Sequence, residues 1–445
     1  MKKSLYWVLA ICLFLTPAGI AAQVKKTVSI HGTVKNFSSQ VMVEDLSDMQ
    51  YLLPPNPERT FIAAADGSFR ITFKVASPNY FRLGRNILYL TPGDDLTVVI
   101  DNNAPTKAEF SGKGSEANLF LRDTPFPKAG SYMEAGKNAK PTARETVEFL
   151  IAKGVSRQKE LDAVKGVSAE FKRLETARIK ADTINSLNSG KISFYRPKLT
   201  PGELTVYDAE YKTLSEAAKN DRNKNFVDFS LMKLVVYRDI ADELPASPAQ
   251  QTDAVKIKEW YSSSSLVNKM SGISNKSELK KLDPEIAAIK LVQYKAALKQ
   301  RLESLLKFGK GDPALNFVAV DLDGKPVGLE SLKGKVIYLD LWATWCGPCA
   351  QEMPLYERLR TKYKDRNVAF VSLSIDDNTA LWKKNVGDRK ADGNQWLISR
   401  NKLLDYNVVN IPRTIVIDRD FKVVNLNAPL PSSKETEKML DELLK

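Results

Sequence analysis

Residues 335–349 have the sequence KVIYLDLWATWCGPC, in which an apolar run broken by one aspartate leads directly to two cysteines. The run from Val336 to Trp342 lacks the alternation of a half-exposed strand, and this is typical of a strand buried on both faces of a sheet. A helical pattern follows from Ala350 to Tyr363. The stretch therefore predicts a central strand that leads directly into a helix, with both cysteines at the junction.

The segments on both sides of this stretch predict an α/β domain over residues 310–445. Residues 317–327 have the pattern of two short strands joined by an Asp323-Gly324 turn. Further strands are predicted at 368–375, 414–417 and 422–426, and further helices at 380–388 and 434–444.

The spacing of Cys346 and Cys349 places both sulfur atoms on one side of the first helical turn. Unpaired amides and the positive end of the helix dipole stabilise a thiolate at this position. We expect Cys346, which begins the helix, to be the exposed nucleophile. Cys349 lies one turn later, and we expect it to be buried and to resolve mixed disulfides. The pair is thus predicted to form a redox-active disulfide.

The counts of cysteine and histidine exclude most other chemistry. The chain has 445 residues, with three cysteines and one histidine, His31. Histidine-based triads, haem attachment and His-rich metal sites lack the residues that they need, and a zinc site at the C-x-x-C pair lacks further ligands. We predict no metal site and no bound cofactor.

The N-terminus has the pattern of a secretory signal, predicted as residues 1–22 with cleavage near Ala22. No later apolar stretch approaches the roughly 20 residues that a membrane-spanning helix needs, so we predict no stable membrane insertion. The exported chain would keep only the cysteines at 346 and 349, which indicates a reactive pair instead of a framework of structural disulfides.

The chain is basic, with a formal net charge of +13. Export removes it from chromosomes, and no arm rich in Lys and Arg is present, so the charge indicates a solvated surface and no nucleic-acid partner is expected.

Two regions of different composition precede the α/β domain. Residues 23–112 alternate between apolar and polar residues and contain turn signals such as Asp66-Gly67, which predicts an antiparallel β domain of the sandwich type. Residues 113–309 have helical spacing and predict a helical domain or connector, with one helix running from Asp283-Pro284 to about Phe308. The predicted fold class is multidomain, with these two regions followed by the α/β domain.

The W-C-G-P-C motif after an apolar strand resembles thioredoxin. The preceding hairpin, the Gly-Lys-Val-Ile sequence at 334–337 and the Glu-Met-Pro sequence at 352–354 resemble the exported thiol-disulfide oxidoreductases of the TlpA and ResA type over about residues 311–445. The sequence GKGSEAN at 112–118 resembles the N-terminal halves that precede such domains in exported Bacteroidota proteins. This second resemblance implies no ligand.

The TlpA and ResA resemblance implies roles for residues outside the cysteine pair. Asp340 matches the buried carboxylate that takes the proton of the second cysteine. Glu352 matches an acidic position near the thiols. Ile411 and Pro412 match the cis-proline loop, whose backbone pairs with a substrate chain. Trp345 matches the tryptophan that shields the site and contacts substrate. Three of these assignments have an ordinary structural alternative: a polar residue at a strand end for Asp340, an acid in a first helical turn for Glu352, and a trans turn for Ile411-Pro412.

The resemblance favours a periplasmic enzyme that reduces disulfides of exported proteins and receives electrons from a membrane thiol carrier. Gly347 and Pro348 are similar to the residues of reducing members, whereas oxidants and isomerases usually have a histidine there. A disulfide oxidant or isomerase remains the main alternative. An envelope binding protein with an accessory redox domain is also open, because residues 23–309 have no assigned chemistry. The W-C-G-P-C context argues against a peroxidase of the peroxiredoxin type.

Overall fold

The computed structural model describes residues 27–37, 40–125, 130–190 and 196–445. The predicted signal segment, residues 1–22, lies outside these ranges. None of the helices in the described part of the chain is both long enough and apolar enough to cross a membrane.

The N-terminal region consists of two four-stranded sheets that enclose one apolar core. The strand order is β4-β1-β7-β8 in one sheet and β3-β2-β5-β6 in the other. Alternate residues such as Val28 and Ile30 of β1 face Leu83 and Leu88 of the second sheet in this core. The strands are β1 (Thr27–Lys35), β2 (Val41–Asp45), β3 (Thr60–Phe61), β4 (Ser68–Lys74), β5 (Asn79–Leu83), β6 (Asn86–Leu90), β7 (Asp95–Asp101) and β8 (Glu109–Lys113), with a short helix α1 (Asp48–Leu52) after β2.

The prediction of a wholly antiparallel β domain is wrong at one pair of strands. β1 and β7 run parallel, with Ile30 opposite Leu96. The chain between them builds the second sheet and β4, and so supplies the long crossover that a parallel pair needs. A half-exposed strand alternates in the same way in either orientation, so the sequence pattern could not distinguish the two.

The middle region is helical, and its core includes residues from the β region, such as Tyr80 and Tyr89 against Phe171. The predicted helix from Asp283 to Phe308 is wrong: it is divided into two helices by residues 289–291. The helices are α2 (Ser115–Leu121), α3 (Ala143–Ala163), α4 (Ala169–Ser189), α5 (Pro201–Asn223), α6 (Val235–Arg238), α7 (Gln251–Ser271), α8 (Lys276–Lys280), α9 (Asp283–Ala288) and α10 (Val292–Leu305). The predicted boundaries at 112 and 309 stay predictions.

The C-terminal region is a seven-stranded mixed sheet with the order β10-β9-β13-β12-β11-β14-β15. Its central strand β11 is buried at all seven positions, which explains the apolar run, and lies between parallel β12 and antiparallel β14. The strands are β9 (Val318–Val320), β10 (Pro326–Gly328), β11 (Val336–Trp342), β12 (Val368–Ser374), β13 (Asn394–Leu397), β14 (Arg413–Ile417) and β15 (Val423–Ala428), and the helices are α11 (Gly347–Lys362), α12 (Thr379–Asp388) and α13 (Lys434–Leu443).

Candidate active site

The two cysteines lie at the junction of β11 and α11, and they form a disulfide bond. Cys346 is the N-cap residue of α11, and its Sγ accepts a hydrogen bond from the backbone N–H of Cys349 at 3.2 Å. Pro348 occupies the first turn, where a helix needs no backbone donor. The end of a buried strand and the first turn of a helix thus place both sulfur atoms where backbone amides favour negative charge.

Both cysteines are buried in this oxidised form. Cys346 is 6% exposed and Cys349 is 2% exposed, so the expectation that Cys346 is the exposed member is wrong for the disulfide state. Tertiary packing explains the burial of Cys346. Both cysteines belong to one apolar cluster, and Ile411 packs against that cluster from a loop more than 60 residues later. Trp345, by contrast, is 65% exposed beside the pair.

Asp340 is a buried carboxyl on the strand that leads to the cysteines. It is 2% exposed and lies opposite Ser372 of β12 and Thr414 of β14. Burial raises the pKa of Asp340 to about 7, and the nearby negative charge of Glu352 adds to this shift, while Arg389 opposes it. The carboxyl can therefore gain or lose a proton near neutral pH, as a proton acceptor must.

Glu352 lies in α11, one turn after Cys349, but its carboxylate is bound to a different part of the chain. One oxygen accepts the backbone N–H of Ser432 at 2.9 Å and the other accepts the Ser432 hydroxyl at 2.8 Å. Glu352 therefore holds the segment before α13 and acts on Asp340 through its charge.

The peptide bond between Ile411 and Pro412 is cis, as the resemblance implies. Pro412 immediately precedes β14, in which Arg413 lies opposite Leu341 of β11. Continuing this register past Leu341 brings the Ile411-Pro412 segment alongside the residues that connect β11 to Cys346. The loop and the cysteine pair are thus neighbours in space.

A second buried carboxylate, which sequence reasoning missed, supports the approach to the cysteines. Asp376 is 2% exposed. Its oxygens accept the Thr344 amide at 2.9 Å, the Thr344 hydroxyl at 2.7 Å and the Ser374 hydroxyl at 2.7 Å. The signal that could have found it is its position just after β12, because the carboxyl end of this strand meets that of parallel β11 at the same edge of the sheet.

Residues 309–444 match the Redoxin family. The chain is 33% identical over 147 residues to the thiol-disulfide oxidoreductase ResA of Bacillus thuringiensis subsp. konkukian (strain 97-27), a match that covers 32% of this chain and 80% of that protein. It is 31% identical over 134 residues to the thioredoxin-like protein YneN of Bacillus subtilis (strain 168), covering 30% and 79% of the two chains. A crystal structure of a candidate thiol-disulfide oxidoreductase from Bacteroides vulgatus is 40% identical, with a TM-score of 0.30, and covers 30% of this chain and 96% of that one.

Proposed function

The chain belongs to the thioredoxin-like thiol-disulfide oxidoreductases of the TlpA and ResA type, and from this premise we propose that it reduces disulfides of exported proteins in the periplasm. The observation that carries the proposal is the cysteine pair at the start of α11, shortly after a strand that contains a buried carboxyl whose pKa is raised to about 7.

In the proposed reaction, the Cys346 thiolate attacks one sulfur of a substrate disulfide. A mixed disulfide forms, and the first substrate sulfur leaves as a thiolate. Asp340 then accepts the proton of Cys349, whose thiolate attacks Cys346 Sγ and releases the second substrate thiolate. Two electrons pass to the substrate, and the chain is left with the disulfide seen in this structure.

The residues around the pair support the reducing direction. Gly347 and Pro348 provide no charge that would stabilise the Cys346 thiolate, unlike a histidine at the same place. The one histidine of the chain, His31, is in β1 and makes its contacts within the β region, with Thr97 at 3.0 Å and Asp95 at 3.3 Å.

A reductase outside the cytoplasm needs a protein source of electrons, and we propose a membrane thiol carrier as the donor. Reduction would proceed by the same exchange in reverse, with a donor thiolate attacking the Cys346–Cys349 disulfide. The disulfide-bearing exported proteins would be the second class of partner. The proposed periplasmic location rests on the signal pattern in residues 1–22 and on the resemblance to exported oxidoreductases.

The proposed function is tested by a Cys349→Ser variant, which should keep Cys346 reactive but lack the resolving thiol. Mixed with insulin, this variant should accumulate a covalent adduct that disappears on addition of dithiothreitol, whereas a Cys346→Ser control should form none. The wild-type chain should catalyse insulin reduction by dithiothreitol. An adduct on Cys349, or no catalysis of insulin reduction, would contradict the proposal.

A further inference from the structure

The strand after the cis proline is attached to the helical region by a buried guanidinium. Arg413 is 2% exposed. Its Nη1 donates to the carbonyl of Ser271 at 2.8 Å and to the carbonyl of Leu426 at 3.3 Å, and its Nη2 donates to Asn410 Oδ1 at 3.1 Å. One side chain therefore contacts the helical region, β15 and the loop that contains Ile411 and Pro412.

The contact with the helical region occurs at the end of a helix. Ser271 is the last residue of α7, where carbonyl groups lack helical partners and the helix dipole is negative. All three hydrogen-bond acceptors of Arg413 are neutral, and burial without a nearby carboxylate lowers the pKa of Arg413 to about 10. The end of α7 is thus an important source of compensation for burying this charge.

A second set of contacts at the same interface does not involve Arg413. Ser274, just beyond α7, donates its hydroxyl to Asn425 Oδ1 at 2.7 Å and accepts the backbone N–H of Leu426 at 2.7 Å. These bonds hold the helical region to β15 and leave the loop before β14 untouched. Removing the Ser274 bonds would therefore weaken the same interface without affecting the loop, which makes Ser274 a control for Arg413.

The other side of the loop is held by a residue that faces the β region. The guanidinium of Arg400 donates to the carbonyl of Val409. Its charge interacts with Glu44 of β2 and with Asp377, which follows Asp376 in sequence. The segment from Val409 to Arg413 is therefore bound by guanidinium groups on both sides, and each of these groups also interacts with a region outside the redox domain.

We propose that Arg413 is a positioning residue for substrate binding: by joining the end of α7 to Asn410, it fixes the Ile411-Pro412 loop in the conformation that receives a protein disulfide beside Cys346. The helical region is then part of the substrate-binding apparatus. This inference rests on the proposed function, because it assigns docking of the substrate chain to that loop. Arg413 acts through the loop: its hydrogen bonds go to Ser271, Leu426 and Asn410 and not to either cysteine.

The test compares a protein disulfide with a small one, using the full-length chain. Arg413→Gln should raise KM for insulin about fivefold, equivalent to about 1 kcal/mol, the ordinary contribution of one hydrogen bond. The rate constant at saturation and the rate of reaction with a small aromatic disulfide should stay within twofold of wild type, and the reduction potential should not change. Arg413→Lys, which keeps the charge but loses the planar fork, should fall between wild type and Gln.

Two further variants keep the inference testable if Arg413→Gln folds poorly. Asn410 is exposed, so Asn410→Ala should fold, and it should raise KM for insulin without changing the reaction with the small disulfide. Ser274→Ala should lower thermal stability and leave KM unchanged. A wild-type KM for Asn410→Ala, or a parallel loss of rate with both disulfides for Arg413→Gln, overturns the inference. A wild-type chain that reduces neither disulfide overturns the proposed function itself.

Discussion

The amide and the hydroxyl of Thr344 both donate hydrogen bonds to the buried carboxylate of Asp376, 32 residues later in the chain. Thr344 lies two residues before Cys346, so this contact fixes the backbone that presents the pair. A buried carboxylate that loses a donor is costly, because the desolvated charge keeps fewer hydrogen bonds.

Thr344→Val should therefore destabilise the redox domain by about 1 to 3 kcal/mol. The measurement is urea unfolding of the oxidised protein, followed by tryptophan fluorescence. Thr361→Val is the matched control, because the Thr361 hydroxyl is exposed and bonds to the Glu357 carbonyl within the same helix. Equal midpoints for the two variants would contradict the role of the Asp376 contact.

Asp340→Asn should stabilise the protein above pH 7. The pKa of Asp340 is raised in the folded state to about 7, so keeping the carboxyl ionised costs free energy at alkaline pH. This cost falls as the pH drops from the folded pKa toward the ordinary value of about 3.9, and it is absent below about pH 4. The variant should gain up to about 4 kcal/mol at pH 8 and almost nothing at pH 4. Urea unfolding at the two pH values measures the difference, and a gain independent of pH would refute the assignment.

Asp340→Asn should also leave formation of the mixed disulfide intact and slow its resolution, because Cys349 would keep its proton. In the wild type, resolution should accelerate as the pH rises through about 7, where Asp340 becomes able to accept a proton. Stopped-flow traces of product release report this step. A wild-type rate in the variant, or a flat pH profile in the wild type, would remove the proton-acceptor role.

Glu352→Gln should shift that pH profile to lower pH. The negative charge of Glu352 raises the pKa of Asp340, so its removal lets Asp340 ionise more readily. Ser432→Ala is the control, since it removes a hydrogen bond to Glu352 but keeps the charge. Identical profiles for Glu352→Gln and the wild type would show that this charge does not act on Asp340.

The features that local sequence could predict are those that depend on neighbours in the chain. The C-x-x-C spacing sets the first turn of α11, and the apolar run sets the buried strand β11. The cis bond before Arg413 followed from the resemblance. The burial of Cys346, the partner of Glu352 and the contact between Arg413 and Ser271 were not predictable, because each depends on segments about 60 to 140 residues apart that meet only in the folded chain.

In the reduced protein, Cys346 should alkylate faster than Cys349, and its pKa should lie below the free value of about 8.5. Its position as N-cap brings its sulfur to the Cys349 amide, which favours the thiolate. Cys349 is the more deeply buried of the two in the apolar cluster, and burial disfavours its thiolate. Timed labelling with iodoacetamide and mass spectrometry of the two peptides gives the order, and equal rates would count against separate roles for the two thiols.

The reduction potential should lie nearer to that of thioredoxin, about −270 mV, than to that of the strong periplasmic oxidant, about −120 mV. A strong oxidant has a stabilised reduced form, usually through a thiolate favoured by a positive neighbour. Here Gly347 and Pro348 separate the cysteines, while the carboxyls of Asp340 and Glu352 on the adjoining strand and helix oppose added negative charge. The two reference potentials differ by about 150 mV, which corresponds to about 7 kcal/mol for two electrons and is enough to set the direction of exchange. Equilibration in glutathione buffers, followed by the fluorescence of exposed Trp345, measures the potential; a value above about −180 mV would make the chain an oxidant or isomerase.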